Sequence, residues 1–231
     1  MRYYNNIEYD RLNKLSLNML LLGKERGPFA AWHYTNSSYN WAIAEILLRR
    51  TTRTAAEKAY NDLLKIASNW HELSLIDYST LLSCLSWIGL GKQRAATIIK
   101  LSTIVTDKYN GRLPVKRNVL KSLPGLGEYI SDAILLYAYY KKTFPIDPNI
   151  QRLIRRINDK PMGKGTRHNQ PYKDPAAINF AKYVKNKYEP GDIINIHRGI
   201  LIHTWEICRP SPNCQLCFFK SFCLFQEKND N

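Results

Sequence analysis

The chain has 231 residues, 45% of them hydrophobic and 12% aromatic, which is enough for a packed core and argues against intrinsic disorder. Its 34 Lys and Arg residues against 19 Asp and Glu residues give a formal net charge of +15. No apolar run approaches the roughly 20 residues that span a bilayer, and the start of the chain is too polar for a signal peptide. We therefore expect a soluble, intracellular protein without a membrane partner. The positive charge either keeps the protein soluble or, as we favour, binds a polyanion such as nucleic acid.

Apolar residues recur at three- and four-residue steps along most of the chain, which predicts helices and very little strand. Residues 158–175 are basic and rich in Pro and Gly, which predicts a long loop or a partly ordered insertion. The expected fold class is all-α. The predicted helices cover 9–23, 39–50, 55–67, 77–88, 92–109, 115–122, 128–140, 149–157, 175–188 and 191–207.

Glu45 stands on the apolar stripe of the predicted helix 39–50, between Trp41 and Leu48. A carboxyl group among apolar side chains has a raised pKa and can serve as a general acid. The alternative is an ion pair with Arg49, four residues further along the same helix.

The segment 123–129 (LPGLGEY) joins two predicted helices and contains Gly125 and Gly127. Glycines with this spacing allow a sharp turn and the close approach of another surface. The turn leaves N–H groups unpaired at the start of the next helix, where they and the helix dipole favour an anion such as a DNA phosphate. The alternative is an ordinary helical connection with glycine at the C-cap. In so basic a chain we favour phosphate binding.

Asp147 precedes Pro148 at the expected start of a helix, which is a strong N-cap signature. Capping explains this residue by itself, but it is also compatible with catalysis. Amide donors and the helix dipole favour the ionised carboxylate and are expected to keep it negative at neutral pH. A fixed negative charge suits a reaction that passes through a positively charged sugar.

Four of the five cysteines form a cluster near the C-terminus, with the spacing Cys208-x5-Cys214-x2-Cys217-x5-Cys223. Such a cluster in an intracellular chain indicates a metal site rather than a disulfide framework. Structural zinc sites usually pair two Cys-x2-Cys units across a longer loop, so this compact spacing favours an iron–sulfur cluster over zinc. In the cysteine loops, Arg209 and Lys220 either reach phosphates or are ordinary surface charges.

The hairpin, the motif Asp147-Pro148-Asn149-x-x-Arg152 and the cysteines together resemble the helix-hairpin-helix, GPD-type DNA glycosylases with a C-terminal iron–sulfur cluster. The stretch 44–52 (AEILLRRTT) is most similar to the archaeal Mig-type thymine-DNA mismatch glycosylases. The resemblance implies a 4Fe-4S cluster on the four cysteines and a target nucleotide flipped out of the duplex. It further implies two helical domains flanking a DNA-binding cleft. These are a six-helix barrel with the helix-hairpin-helix at 26–138, and a cluster domain formed by 1–25 and 139–231.

Site roles follow from the same resemblance. Asp147 is expected to stabilise the oxocarbenium-like sugar and to position or activate water. Tyr129 stands where the endonuclease III type has a lysine that forms a Schiff base, and the Mig type also has tyrosine. The resemblance therefore implies a monofunctional glycosylase for thymine or uracil mispaired in G·T and G·U. Glu45 is a candidate proton donor or water-binding group. The candidate DNA contacts are Gly125, Gly127, Arg49 and Lys220.

Three features depart from the family pattern. The first cysteine gap is five residues instead of six, His197 and Ile202 replace an expected Asn and Asp, and the loop 158–175 has no clear counterpart. The open alternatives are an adenine glycosylase acting opposite 8-oxoguanine, excision of another modified pyrimidine, and a non-catalytic DNA-binding iron–sulfur protein. Zinc or an empty site is the alternative to the cluster. We expect a monomer, because the family forms its DNA cleft within one chain.

Overall fold

The computed structural model of the chain describes residues 6–158 and 170–227. Every regular element within these ranges is helical, which confirms the predicted all-α class. The predicted loop 158–175 falls largely on residues 159–169, which lie outside the described residues. None of the described helices is long and apolar enough to span a bilayer. The α-helices are α1 (Asn6–Arg26), α2 (Ser38–Leu48), α3 (Arg53–Ile66), α4 (Trp70–Leu75), α5 (Tyr78–Leu85), α6 (Gly91–Tyr109), α7 (Arg117–Ser122), α8 (Glu128–Tyr137), α9 (Pro148–Ile157), α10 (Pro175–Lys187), α11 (Pro190–Glu206) and α12 (Leu224–Glu227).

Each predicted helix is present, but α5 and α8 end three residues before their predicted ends, and α12 was not predicted. The short helix α4 was not predicted, although Asn69 caps it by accepting a hydrogen bond from the Glu72 amide at 2.9 Å. Helix α2 ends two residues earlier than predicted, because Arg49 adopts an extended conformation and Arg50 has a φ of 53°. A non-glycine residue in the left-handed region ends a right-handed helix at once.

The chain divides into two compact units. The first, Phe29–Lys141, contains α2 to α8. Helix α2 packs against α3, α6 and α8, and its residues from Trp41 to Leu47 are all buried. A helix that is apolar on every side is stable only at the centre of a packed unit. Helix α2 is therefore a buried core element against which α3, α6 and α8 pack.

The second unit combines Met1–Pro28 with Lys142–Asn231. Its most extensive helix pair is α1 with α11, and α9 packs on α10, α11 and α12. Where α1 crosses α11, a Cβ atom on Gly199 would lie 2.0 Å from the carbonyl oxygen of Met19. Only glycine allows the two backbones to approach this closely. The pairing fixes α11, the helix that leads into the cysteine segment.

Candidate active site

Glu45 occupies the buried core of the first unit, with 5% of its surface exposed. This confirms the predicted position on an apolar face. Arg49 is the C-cap residue of α2 and is exposed, and the alternative ion pair of Glu45 with Arg49 stays a prediction. The carbonyl oxygen of Arg49 accepts a hydrogen bond from the buried guanidinium of Arg94 on α6. This hydrogen bond links α6 to the end of α2.

The two hairpin glycines have different surroundings. Leu123, and neither glycine, occupies the C-cap of α7. Gly125 has a φ of +79°, and a Cβ atom there would lie 2.6 Å from the Thr97 methyl carbon. Gly127 occupies the N-cap of α8 without a side-chain cap, and nothing lies within 4 Å of the Cβ position that a larger residue would have. The start of α8 is therefore open to an approaching ligand backbone.

The helices on either side of the hairpin are clamped together. The Arg117 guanidinium donates two hydrogen bonds to the buried carboxylate of Asp132, at 2.6 and 2.8 Å. Ser131 donates to the carbonyl oxygen of Leu126 at 2.6 Å, which anchors the turn itself. Tyr129, half-buried on the first turn of α8, is thereby held in a rigid segment.

Asp147 caps α9, as predicted. Its Oδ1 accepts a hydrogen bond from the Ile150 amide at 2.7 Å, and its Oδ2 accepts one from the Asn149 side-chain amide at 2.8 Å. Burial raises the pKa of the carboxyl group, and these hydrogen bonds together with the charge of Arg152 oppose the shift without cancelling it. Capping alone would lower the pKa, so the direction of the shift differs from what the cap signature suggests.

Arg152 connects the Asp147 region to the cysteine segment. Its Nη1 donates to Asn149 Oδ1 at 3.0 Å, and its Nε and Nη2 donate to the carbonyl oxygen of Cys208 at 3.1 and 3.0 Å. One turn further along α9, Arg156 donates to Cys208 Sγ at 3.3 Å and to the Arg209 carbonyl at 2.6 Å. Helix α9 therefore begins at the candidate catalytic carboxylate and holds the cysteine segment through two arginines.

The four C-terminal cysteines line one pocket, whose walls are otherwise mainly apolar. Burial and the neighbouring thiols raise the pKa of Cys217 to about 11, so its thiolate requires a compensating positive charge. As placed, no three described His, Cys, Asp or Glu side chains form a group that could hold a metal ion. The chemistry of four thiols around one apolar pocket nevertheless fits a thiolate-bound metal group. The lining residues are Cys208, Cys214, Cys217, Cys223, Leu153, Arg156, Ile157, Ile207, Pro212, Phe219 and Phe225.

The sequence profile of the HhH-GPD superfamily of base excision DNA repair proteins matches residues 43–166, which is more than half of the chain. The chain belongs to this superfamily. The predicted resemblance is thereby confirmed. The match includes residues 44–52, the hairpin and Asp147, on which the prediction relied, whereas the four cysteines lie beyond it.

Individual HhH-GPD relatives are similar over most of their length. The thymine/uracil-DNA glycosylase of Methanothermobacter thermautotrophicus is 29% identical over 198 residues, covering 85% of this chain and 86% of the relative. The thymine/uracil-DNA glycosylase of Pyrobaculum aerophilum is 27% identical, covering 86% of this chain and 85% of the relative. The similarity to archaeal enzymes of this type agrees with the predicted Mig-type resemblance.

Solved structures have the same fold. The structure of a thermostable thymine-DNA glycosylase aligns with a TM-score of 0.83 at 27% identity, covering 95% of this chain and 98% of that chain. A trapped endonuclease III–DNA covalent intermediate aligns with a TM-score of 0.79 at 19% identity, covering 96% of this chain and 98% of that chain. At that identity the second likeness concerns the fold alone.

The predicted site residues of this HhH-GPD protein are divided between the two units. The first unit contains Glu45, Tyr129, Arg49, Gly125 and Gly127, and the second contains Asp147, Lys220 and the four cysteines. Glu45 and Tyr129 stand on α2 and α8, which pack against each other. Lys220 is exposed.

Other residues of the site region carry roles that the sequence did not reveal. His197 and Ile202, the residues that replace an expected Asn and Asp, are buried in α11, where His197 packs edge-on against Phe144. Asn149 and Arg152 belong to the motif that carried the predicted resemblance but had no predicted contacts, and Arg156 was not singled out. The spacing of Arg152 and Arg156, four residues apart on one side of an amphipathic helix, was the available signal for these two residues.

Proposed function

We propose that this protein is a monofunctional DNA glycosylase that releases mispaired thymine or uracil from double-stranded DNA by hydrolysis. The observation that carries the proposal is the Asp147 carboxylate, held at the start of α9 by neutral donors and with a raised pKa. The superfamily supports base excision repair, and the names of the thymine/uracil-DNA glycosylase relatives support the choice of base.

Asp147 has two tasks in this mechanism. Its negative charge stabilises the positive charge that develops on the sugar as the bond between C1′ and the base nitrogen breaks and its electron pair leaves with the base. It also orients water and accepts the proton that water loses as its oxygen bonds to C1′. A carboxylate with a raised pKa is a stronger base than an ordinary one. The hydrogen bonds to Ile150 and Asn149 fix both carboxylate oxygens for these tasks.

Tyr129 determines the fate of the product. A phenol has no amine with which to form a Schiff base to the sugar, so strand cleavage by that route cannot follow base release. The product is then an intact strand with an abasic site. Glu45 is the proposed donor of the proton that the departing base requires, because its buried carboxyl group suits that task.

The proposed DNA contacts rest on the positive charge of the chain and on the exposed, uncapped N-terminus of α8. A net charge of +15 favours binding to the phosphate backbone, with release of counterions. The uncapped start of α8 at Gly127 suits one phosphate, with Gly125 making the turn behind it. Arg49 and Lys220 are exposed and free to approach further phosphates. The cleft that the resemblance implies, the monomeric state and the intracellular location stay predictions.

The cysteine pocket is the proposed site of a 4Fe-4S cluster, with Cys208, Cys214, Cys217 and Cys223 as ligands. When bound, the cluster would fix the C-terminal segment through four covalent links and neutralise the thiolates. We assign the cluster domain to the second unit and the barrel with the hairpin to Phe29–Lys141. Arg152 and Arg156 then connect the cluster segment to α9, which carries Asp147.

Base release from labelled duplexes tests this proposal. The duplexes contain G·T, G·U, adenine opposite 8-oxoguanine, or oxidised pyrimidines, and each reaction is read with and without alkali. We expect breaks on G·T and G·U that appear only after alkali. Breaks without alkali would contradict the monofunctional mechanism, and adenine release would replace the proposed substrate. Binding without release from any duplex would favour a non-catalytic DNA-binding protein.

A further inference from the structure

His203 lies beside the cysteine pocket but does not belong to the predicted ligand set. It stands on the last turn of α11, with 1% of its surface exposed. Its Nε2 is 3.7 Å from Cys217 Sγ, and its ring packs against Phe218 and Phe219, with centroids 5.0 and 5.1 Å away. The two aromatic rings and the helix hold the imidazole with one nitrogen directed at the sulfur.

The position of the imidazole proton follows from the surroundings of the two nitrogens. Nδ1 of His203 is buried and has no hydrogen-bond partner among the described residues. A proton on Nδ1 would leave a buried N–H group unpaired and would turn the Nε2 lone pair toward the sulfur of Cys217. A proton on Nε2 instead makes an N–H···S hydrogen bond. The geometry therefore favours the tautomer that donates to Cys217.

We propose that His203 donates a hydrogen bond from Nε2 to the Cys217 thiolate, retaining the metal group of the cysteine pocket and raising its reduction potential. This inference rests on the proposed iron–sulfur cofactor. A donor aimed at a ligand sulfur stabilises the ligand's negative charge, and such partners commonly control metal affinity and potential. His203 is a positioning and tuning residue, not a ligand.

Two other cysteines of the pocket, Cys208 and Cys223, contact Arg156 instead of His203. Cys208 Sγ accepts a hydrogen bond from the Arg156 guanidinium at 3.3 Å. Cys223 lies with its Sγ 3.7 Å from the carbonyl oxygen of Arg156, a contact that only a protonated thiol can make. The cationic donor Arg156 therefore binds the sulfur of Cys208, and the neutral donor His203 binds the sulfur of Cys217.

The test uses the full chain purified without oxygen, with iron and zinc measured in every preparation. His203→Phe keeps the aromatic packing and removes the donor, and His203→Gln restores an N–H group of similar reach. His197→Leu is the control, because it removes another buried histidine from the same helix. We expect His203→Phe to release metal to a chelator roughly ten times faster than the wild type. Its reduction potential should be lower, while His203→Gln and His197→Leu resemble the wild type.

Two results would overturn the inference: release from His203→Phe at the wild-type rate with an unchanged potential, or equally fast release from His203→Gln. If His203→Phe does not fold, His203→Leu replaces it, with thermal unfolding measured in parallel. Zinc without iron would overturn the proposed cluster, but the chelator rates would still decide the role of His203, since the same hydrogen bond stabilises a zinc thiolate.

Discussion

Asp147 and Asp174 share one local design and differ in their electrostatics. Each caps a helix of the second unit and is followed by proline at the first helical position. Asp174 is buried and binds the Gln151 amide at 2.8 Å and the Arg155 guanidinium. Burial opposes its ionisation, but these partners and the helix amides outweigh burial and lower its pKa. For Asp147 burial prevails and the pKa is raised.

The difference lies in where the neighbouring arginine directs its charge. Arg155 forms an ion pair with Asp174, whereas Arg152 directs its guanidinium to Asn149 and to the Cys208 carbonyl. Asp174 is therefore a structural residue whose charge is neutralised. Asp147 accepts hydrogen bonds from neutral donors, and the charge of Arg152 offsets its burial only in part, which leaves a carboxylate suited to act as a base and to stabilise a cationic sugar.

Replacing Asp147 should produce the largest effect. Asparagine caps a helix about as well as aspartate but can neither accept the proton of water nor supply a negative charge. We expect Asp147→Asn to lower single-turnover base release by roughly 10²–10⁴-fold. Its unfolding temperature at pH 7 should equal or exceed that of the wild type, because a charge whose burial is unfavourable has been removed. Wild-type base release by this variant would refute the mechanism.

Asp174→Asn should lower stability and leave base release unchanged, the opposite of Asp147→Asn. Loss of the buried ion pair should lower the free energy of unfolding by about 2–3 kcal/mol, while base release per folded molecule stays near the wild-type value. Since the pKa of Asp174 is lowered, its contribution is fully present above the ordinary aspartate pKa and is lost as pH falls through the lowered value. Denaturant unfolding from neutral to acidic pH measures this dependence. An unchanged unfolding free energy would show that the pair is not structural.

The two hairpin glycines of the first unit also differ, since Gly125 has a structural role and Gly127 is open to DNA. Gly125→Ala should lower the free energy of unfolding by about 1–2 kcal/mol, because of its positive φ and the contact with Thr97. Gly127→Ala has open space and should leave stability unchanged while weakening DNA binding, since a methyl group obstructs the approaching phosphate. Thermal unfolding and DNA titrations at fixed salt separate the two. Equal behaviour of both variants would argue against a phosphate site.

The smallest expected effects concern the amides beside the two carboxylates. Asn149→Ala removes the hydrogen bond that holds Oδ2 of Asp147 in place, and this loss of orientation should slow base release about five-fold at neutral pH. Gln151→Ala removes the corresponding hydrogen bond to Asp174 and should cost about 1 kcal/mol of stability without slowing release. If instead Gln151→Ala slowed base release and Asn149→Ala only lowered stability, Asp174 would be the catalytic residue and Asp147 the structural one.

The sequence predicted the all-α fold, the longer helices and the burial of Glu45, because periodic apolar residues and caps are local signals. The cap signature by itself could not distinguish Asp147 from Asp174, since both precede proline, and only the family resemblance singled out Asp147. The ion pair of Asp174 with Arg155 joins residues 19 positions apart and depends on how α9 meets α10. His203 escaped notice because its contact with Cys217 depends on the course of the cysteine segment after α11.

The pH dependence of thymine release from a G·T duplex under single turnover tests the role of Asp147 most directly. With its pKa raised, the carboxyl group takes up a proton at a higher pH than an ordinary aspartate does. The rate should therefore fall on acidification with a midpoint above about 3.9, and this fall should be absent from the residual activity of Asp147→Asn. A midpoint at or below the ordinary value, or the same fall in Asp147→Asn, would contradict the assignment of Asp147 as the catalytic base.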